Sequence, residues 1–406
     1  MRLIASAFAL ALIAAPSLAA AQAPTRAELA RVDRILRRTP LIDGHNDVPW
    51  TIRSDHGNDL AAVDLSADTR RLTPAMHTDI PRLRQGRLGA QFWSVYVPAT
   101  FKGADSTRAV WEQIDLTRRM VARYPRAFAL ADSADDIVRI HRSGRIASMF
   151  GIEGGEAINN NLALLREFRA AGVLYMTLTH STTIDWVDSA TDAPKHGGLS
   201  PFGQDVVREM NRIGMLVDLS HVSAEAMHDA LDVATAPVIF SHSSAFGLNP
   251  HPRNVPDEVL RRLPENGGVV MVNFVPSFLS RENWQWSARR AGEEARLKAL
   301  DPADPAAVTA GVAAWTEANP APRVDASDVA DHIEHVARIA GRDHVGLGGD
   351  YDGVTFLPVD MDGVEDYPVL LVELMRRGWS DADLAKLAGG NLLRALRRAE
   401  RVAARR

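Results

Sequence analysis

Eight short apolar segments recur along the chain, and stretches with helical periodicity separate them. Each segment is almost continuously apolar rather than alternating between apolar and polar residues, which is typical of parallel strands buried on both faces. Strands that alternate with helices predict a parallel sheet, and eight of them favour a (β/α)8 barrel. The segments are 40–43, 89–97, 146–153, 174–180, 214–221, 237–243, 267–274 and 344–350.

A doubly wound open sheet is the alternative arrangement for this order of elements. Sheets of that kind that bind dinucleotides carry a glycine-rich turn after the first strand. No such turn follows residues 40–43. The pattern therefore favours the α/β barrel and gives no support to a dinucleotide site.

The domain organisation follows from length and from the first residues. The 406 residues fit one large domain better than several small ones. Residues 1–23 combine an early arginine, a short apolar stretch and small residues, which indicates a cleaved secretory signal peptide. We therefore expect a single barrel domain over 24–406, with a partly helical insertion at about 281–324, in a periplasmic or secreted protein.

Charge and cysteine content narrow the classes of function. The formal net charge is −5, which gives no reason to expect nucleic acid as a partner. The sequence contains no cysteine, so it has no disulfide, no thiol nucleophile and no cysteine for a lipid anchor. The mature chain is expected to lack a membrane anchor, and any metal must be held by His, Asp or Glu.

Metal-ligating side chains stand at the ends of the predicted strands. In a (β/α)8 barrel, the C-terminal ends of the strands form the face on which active sites are built. We therefore expect these side chains to meet at one barrel mouth. They are His45, Asp47, Glu153, His180, His221, His242 and Asp350.

The residue types indicate two divalent ions. Without cysteine, the ions need imidazole and carboxylate ligands, and one carboxylate has to bridge them. Glu153 is the expected bridge because it directly ends its strand and has glycines close by, while Glu156 is the competing carboxylate. Two ions about 3.5–4 Å apart can share a hydroxide and polarise a carbonyl.

An ordered set of motifs resembles the membrane (renal) dipeptidase family of zinc peptidases, peptidase family M19. The motifs are DGHNDVPW, GIEGG, TLTH, LVDLSHVS, PVIFSHS, HPRNVPD, VVMVNF and VGLGGDYDG, and they run from about residue 40 to GGNLLRAL near residue 390. The resemblance implies a distorted (β/α)8 TIM-type barrel of the metal-dependent hydrolase kind. It also implies two zinc ions per chain and the hydrolysis of dipeptides by a hydroxide that bridges them.

The resemblance assigns the metal ligands by matching motif. His45 and Asp47 are expected to bind one zinc ion, and His221 and His242 the other. Glu153 is expected to bridge both ions and so to belong to the catalytic centre.

The resemblance also assigns roles toward the substrate. His180 is expected to contact the substrate and the developing oxyanion, and Arg253 to hold the free carboxylate of the dipeptide. Arginine suits that task because its planar fork grips a carboxylate through two hydrogen bonds. Asp350 is expected to assist proton transfer at the leaving amine, and Asp352 is the alternative.

Two aromatic residues are expected at the substrate pocket. Trp50 is expected to wall it, although a plain packing role is the alternative. Phe278 stands where the renal enzyme has a tyrosine, so this chain lacks a hydroxyl there and its substrate preference stays open. His332 and His335, three residues apart on a predicted helix, are expected to be structural rather than metal ligands.

Two alternative functions differ in their expected sequence signs. Binuclear barrel hydrolases of cyclic amides, lactones or phosphoesters usually open with His-x-His and often have a bridging lysine, whereas this chain has His45-x-Asp47 and Glu153. A catalytically silent binding protein should have lost a ligand, and none is missing. The sequence leaves open which dipeptides are preferred, whether zinc or another divalent metal is bound, and whether the protein is a monomer or a homodimer.

Overall fold

The computed structural model describes residues 23–405, and the chain there forms a closed parallel barrel. Eight strands lie around it in the order β1-β2-β4-β5-β6-β7-β8-β9, with β9 pairing back to β1. The predicted (β/α)8 barrel is therefore confirmed. The strands are β1 Leu41–Asn46, β2 Leu88–Ser94, β3 Phe128–Leu130, β4 Ile146–Glu153, β5 Val173–Thr177, β6 Leu216–Asp218, β7 Val238–Phe240, β8 Val269–Val272 and β9 Val345–Leu347.

Strand β3 is an addition that the sequence pattern did not reveal. It pairs with the first residues of β4, whereas the later residues of β4 pair with β5. The other edge of β4 closes against β2. β3 therefore extends the sheet outside the barrel wall and does not alter the eight-stranded ring.

Helices surround the ring, and most follow a strand. They are α1 Arg26–Leu36, α2 Val48–Asp55, α3 Ile80–Gln85, α4 Ala104–Arg123, α5 Ala134–Arg142, α6 Leu162–Ala170, α7 Pro201–Ile213, α8 Ala224–Val233, α9 Asp257–Leu260, α10 Leu263–Asn266, α11 Pro276–Leu279, α12 Arg281–Leu300, α13 Pro305–Ala318, α14 Ala326–Ala340, α15 Tyr367–Arg376, α16 Asp381–Ala385 and α17 Asn391–Ala403. Short 3-10 turns occupy Thr69–Arg71, Gly155–Ile158 and Arg342–His344, and a π turn occupies Lys386–Gly390.

Helix boundaries agree with the capping signals in the sequence. α7 ends at Ile213 and is capped by Gly214, which adopts a φ of 70° that favours glycine. α8 begins after Ser223, whose side chain accepts a hydrogen bond from the Ala226 N–H. These local signals fix the helices that separate β5, β6 and β7.

Several strands end earlier than the apolar segments suggested. β5, β6, β7 and β9 end two or three residues before His180, His221, His242 and Asp350, respectively. These four side chains therefore lie in the first residues of the loops that follow the strands. His221 and Asp350 have φ values of 71° and 64° there, a backbone conformation that non-glycine residues adopt mainly at constrained sites.

The insertion at 281–324 forms the helical pair α12 and α13. The Trp286 ring packs against Trp315 of α13, and its Nε1 donates a hydrogen bond to the Asn319 carbonyl at 2.7 Å. Trp286 also contacts Phe356 edge-to-face at 5.2 Å between ring centroids. The insertion thus supports the loop that follows β9. Within residues 23–405, no helix is long and apolar enough to cross a membrane.

His332 on α14 serves the fold through both ring nitrogens. Its Nδ1 accepts a hydrogen bond from the Ala245 N–H at 3.0 Å, and its Nε2 donates to the Leu279 carbonyl at 3.0 Å. These bonds require the neutral ring. Burial lowers the pKa of His332 to about 4 in the folded protein. In the unfolded chain, the ring is protonated near the ordinary histidine pKa of 6.5.

This difference predicts a loss of stability in acid. The unfolded state binds the proton first, so the contribution of His332 is complete above pH 6.5 and falls as the pH drops toward 4. Between about pH 7 and pH 4.5, the wild type should lose roughly 2 kcal/mol more unfolding free energy than His332→Asn, in which Oδ1 can still accept the Ala245 N–H. Urea unfolding at both pH values measures this. Equal losses in both proteins would contradict it.

Candidate metal centre

The predicted site residues meet at the C-terminal ends of the barrel strands. A cavity of about 350 Å³ opens there. Nine of the ten predicted residues line it, and His45 is buried behind them with 1% of its surface exposed. Tyr96, Gly353 and Val354 also line the cavity and were not predicted. The full lining is Asp47, Trp50, Tyr96, Glu153, His180, His221, His242, Arg253, Phe278, Asp350, Gly353 and Val354.

Glu153 ends β4 and presents its two carboxylate oxygens to different groups. Oε2 lies 3.3 Å from His45 Nε2, which in turn lies 3.1 Å from Asp47 Oδ2. Oε1 lies 3.0 Å from His221 Nε2 and 3.4 Å from His242 Nε2. One carboxylate therefore lies next to both the His45–Asp47 pair and the His221–His242 pair, as a bridging ligand would.

The protonation states of these groups suit metal binding. Burial lowers the pKa of His221 and His242 well below the ordinary value, so both rings are neutral and offer a nitrogen lone pair. Burial alone would raise the pKa of Glu153, but the neighbouring His45 and His180 rings hold it well below its usual range. Burial alone would lower the pKa of His45, but the Glu153 and Asp47 carboxylates hold it well above its ordinary value. A metal ion at Nε2 would replace that proton, and imidazoles around an ionised carboxylate are a donor set that zinc takes.

Unusual contacts among the ring nitrogens also fit a metal. His221 Nε2 and His242 Nε2 lie only 2.8 Å apart. His45 Nε2 is buried and makes no well-aligned hydrogen bond within residues 23–405, although carboxylate oxygens of Asp47 and Glu153 lie 3.1 and 3.3 Å from it. Buried polar atoms are ordinarily satisfied, and a cation between these nitrogens would satisfy them.

Hydrogen bonds behind the site fix the tautomer of His45. The Tyr175 hydroxyl donates to the Gly44 carbonyl at 3.0 Å and therefore accepts from His45 Nδ1 at 3.2 Å. With Nδ1 used as the donor to Tyr175, Nε2 is the nitrogen that faces the carboxylates and could bind a metal ion in place of a proton. Such partners of ligating histidines orient the ring and raise its basicity.

His242 has an equivalent support. The Ser241 hydroxyl donates to Asp218 Oδ2 at 2.6 Å and accepts from His242 Nδ1 at 2.8 Å. Asp218 is fully buried and also accepts from the Thr177 hydroxyl at 2.5 Å. Sequence reasoning gave no role to Asp218 or Ser241, although a charged residue ending an apolar strand was a usable signal.

Three groups of residues bring donor atoms within 4.8 Å of one another: His45, Glu153 and His242; Glu153, His180 and His221; and His45, Asp47 and Asp350. The last two groups place His180 and Asp350 next to the predicted metal ligands. The Asn273 side chain donates to Asp350 Oδ2 at 2.9 Å, and burial raises the pKa of Asp350 to about 6. Both residues thus lie where a substrate held at the site would meet them.

The two competing carboxylates lie elsewhere. Asp352 accepts a hydrogen bond from the His77 N–H at 2.7 Å and does not line the cavity. Glu156 is also absent from the lining, and its two oxygens are buried without hydrogen-bond partners in the described part of the chain. The geometry therefore favours Glu153 and Asp350 over these alternatives.

Arg253 lies at the cavity with only 4% of its surface exposed. Its Nη1 donates to the Ser243 hydroxyl at 3.4 Å and its Nη2 to the His242 carbonyl at 3.3 Å, and the guanidinium lies over the Phe278 ring at 5.3 Å. No carboxylate of residues 23–405 lies within 4.0 Å of it. Burial lowers the pKa of Arg253 to about 10, a cost that a bound carboxylate would offset.

The family model of the membrane dipeptidases, peptidase family M19, matches residues 29–406. The chain belongs to this family. It is accordingly a hydrolase of the metallo-dipeptidase class, and the resemblance drawn from its motifs is confirmed.

Solved structures similar to this M19 chain share its fold. The probable dipeptidase PvdM from Pseudomonas aeruginosa is 23% identical, with a TM-score of 0.78 over 93% of this chain and 100% of that one. The dipeptidase AC, a metallo peptidase, is 24% identical, with a TM-score of 0.70 over 89% and 99%. A metallo peptidase from Rhodobacter sphaeroides, crystallised with a phosphinate mimic of L-Ala-D-Ala, is 23% identical, with a TM-score of 0.70 over 89% and 99%.

An aromatic wall closes one side of the cavity in this M19 member. Trp50 meets Tyr96 edge-to-face at 5.1 Å, and Tyr96 packs against His180 at 4.9 Å. Trp50 thus lies at the predicted wall. Tyr96 was missed because it sits among other aromatic and apolar residues of one segment and carries no distinguishing sequence signal.

Proposed function

We propose that this protein is a binuclear zinc dipeptidase that hydrolyses the peptide bond of free dipeptides outside the cytoplasm. The observation that supports it best is the division of the Glu153 oxygens between the His45–Asp47 pair and the His221–His242 pair. In this proposal, His45 and Asp47 hold one ion, His221 and His242 hold the other, and Glu153 holds both. Two bound divalent ions supply an activated water nucleophile near neutral pH and polarise the scissile carbonyl.

The remaining residues bind and orient the substrate. Arg253 takes the free carboxylate of the C-terminal residue through its planar fork, in a buried position with no competing carboxylate nearby. His180, whose Nε2 lies 3.6 Å from Glu153 Oε1, stands beside the scissile group and stabilises the developing oxyanion. Asp350, held by Asn273, takes the proton that the attacking water releases and passes it to the departing amine.

The size of the cavity supports a short substrate. About 350 Å³ lies at the small end of ligand-binding cavities. The Trp50–Tyr96 wall and the Phe278 ring bound the space around Arg253. The Rhodobacter sphaeroides metallo peptidase crystallised with a mimic of L-Ala-D-Ala supports dipeptides, including one with a C-terminal D-residue, as the substrates to test.

The proposal includes export and a single domain. The signal peptide predicted at 1–23 falls, except for Ala23, outside the residues that the structure describes. Export to the periplasm or beyond would place the enzyme where extracytoplasmic dipeptides are available. The barrel with its insertion at about 281–324 is proposed to act as one catalytic domain, and no membrane anchor is proposed for the mature chain.

Arg253 makes substrate length a direct test of this function. Free dipeptides should be hydrolysed, while amidated dipeptides and tripeptides should not. Arg253→Met should lower kcat/KM for dipeptides by about 100-fold, largely through KM, because a buried charged pair is lost. Arg253→Lys should recover only part of that loss, since it keeps the charge without the fork. Steady-state kinetics on a panel of dipeptides, their amides and tripeptides measures these effects.

Two results would count against the proposal. Unchanged KM and kcat in Arg253→Met would remove the carboxylate-binding role. Hydrolysis of cyclic amides, lactones or phosphoesters in preference to dipeptides would favour the alternative class of binuclear hydrolase.

A further inference from the structure

A second cavity, at the opposite end of the barrel from the metal centre, has an unusual concentration of arginines. It has a volume of about 470 Å³. It lies among the segments that lead into β1, β2 and β4, three neighbouring strands, and so at the N-terminal ends of the strands. The charged or titratable residues that line it are Asp33, Arg37, Arg84, Arg87, His141, Arg142 and Arg145.

The charge of this cavity, which we call the basal cavity, is strongly positive although the whole chain carries −5. Three helices, α1, α3 and α5, end beside it, and helix C-termini attract cations, so about one basic residue per helix is ordinary. Five guanidinium groups exceed that. The Asp33 carboxylate contributes one negative charge, and each of the three helix ends contributes about half a negative charge. Together with the five arginines, these groups give the cavity a net charge of about +2.5.

The arginines are unevenly paired. Arg37 and Arg87 both contact the Asp33 carboxylate, Arg87 at 3.1 Å. Arg84, Arg142 and Arg145 have no carboxylate within 4.0 Å in the described part of the chain. Arg84 only donates to the Arg126 carbonyl at 3.4 Å, and Arg145 to the Ser143 hydroxyl at 3.1 Å. Three guanidinium groups are therefore free of ion pairs on one concave surface.

His141 adds a second observation at the same place. Its Nε2 is buried and makes no well-aligned hydrogen bond within residues 23–405, although the backbone of Arg37 and Leu36 lies close to the ring. Buried polar atoms are seldom left unsatisfied, and an oxygen of a bound anion would accept from this nitrogen. A concave surface lined by one sign of charge also concentrates counter-ions more than a flat one does.

We propose that the basal cavity is a binding site for a soluble anion that carries several phosphoryl groups. Arginine forks match phosphate oxygens through paired hydrogen bonds, and the cavity is wider than one phosphate needs. Arg84, Arg142 and Arg145 contribute the free forks, and His141 an additional donor. The site lies away from the metal centre, so its occupation does not require the catalytic residues.

Titration calorimetry of the full-length protein with sodium tripolyphosphate tests the site. The wild type should show saturable binding of one ion per chain. Arg142→Gln combined with Arg145→Gln should weaken that binding by about tenfold or more, because two charge-assisted contacts are lost. Arg208→Gln combined with Arg212→Gln removes the same charge from exposed, ion-paired arginines of α7 and should change the affinity by less than roughly twofold.

Three outcomes would overturn the proposal. No saturable binding by the wild type would remove it. Equal binding by the wild type and the Arg142/Arg145 variant would show that tripolyphosphate merely chelates the metal ions. Sedimentation with phosphatidylglycerol vesicles without tripolyphosphate binding would show that the arginines face a membrane surface rather than a soluble anion.

Discussion

Glu153→Gln should lower dipeptide turnover by about a thousandfold or more and should cost the protein at least one metal ion. The substitution keeps the shape of the side chain but removes the charge that offsets two cations. Metal ions supply several kcal/mol of transition-state stabilisation, and about 1.4 kcal/mol corresponds to a tenfold change in rate. Elemental analysis and kinetics on the same preparation measure both effects, with circular dichroism to verify folding.

Glu156→Gln is the matched control for this experiment. Glu156 is a buried carboxyl three residues further along the chain, and burial raises its pKa to about 7. It does not line the cavity, so its replacement should leave metal content unchanged and activity within a few-fold of wild type. Full metal content in Glu153→Gln, or metal loss confined to Glu156→Gln, would contradict this assignment. Glu156 would then be the carboxylate that holds the metal ions.

Asp350→Asn should keep both metal ions and lose about 10²- to 10⁴-fold in kcat, the range that general acid–base catalysis contributes. The amide can still interact with Asn273 but cannot give a proton to the leaving amine. Asp350 also lies in one donor group with His45 and Asp47, so metal content has to be measured together with the rate.

The neighbouring Asp352 provides the control for Asp350. Asp352 accepts the His77 N–H and does not line the cavity, so Asp352→Asn should retain the metals and most of the rate. If Asp350→Asn keeps two metal ions and turns over at a near-normal rate, Asp350 is not the proton donor. Asp352 would then be the candidate for that role. Loss of metal from Asp350→Asn would make Asp350 a ligand instead.

The sequence was sufficient to predict the barrel because its strands are buried on both faces and most of them are therefore largely apolar. Every residue of β1, β2 and β4 is buried. β3 was missed because it has only three residues, of which only Phe128 is buried. It therefore has no continuous buried apolar segment that a sequence pattern could reveal. The ends of β5, β6, β7 and β9 were placed too late because each predicted segment was extended to its histidine or aspartate or just beyond it, whereas strand pairing stops two or three residues before that side chain.

The site was predictable where chemistry restricts the residue type. Histidines and carboxylates after apolar segments are uncommon enough to be noticed. The hydrogen bonds that hold these histidines from behind were not predictable. They depend on how segments far apart in the sequence align in the folded barrel. Tyr175 reaches Gly44 and His45 across about 130 positions of sequence, and only the folded barrel brings them together. Tyr96 likewise becomes a wall of the cavity only through its packing on His180.

Elemental analysis of the purified, active protein is the measurement that bears most directly on the binuclear centre. We expect two zinc ions per chain, loss of dipeptidase activity when a chelator removes them, and recovery that is complete only after two equivalents of zinc are returned. A fully active protein with one metal ion per chain, or with none, would contradict the account.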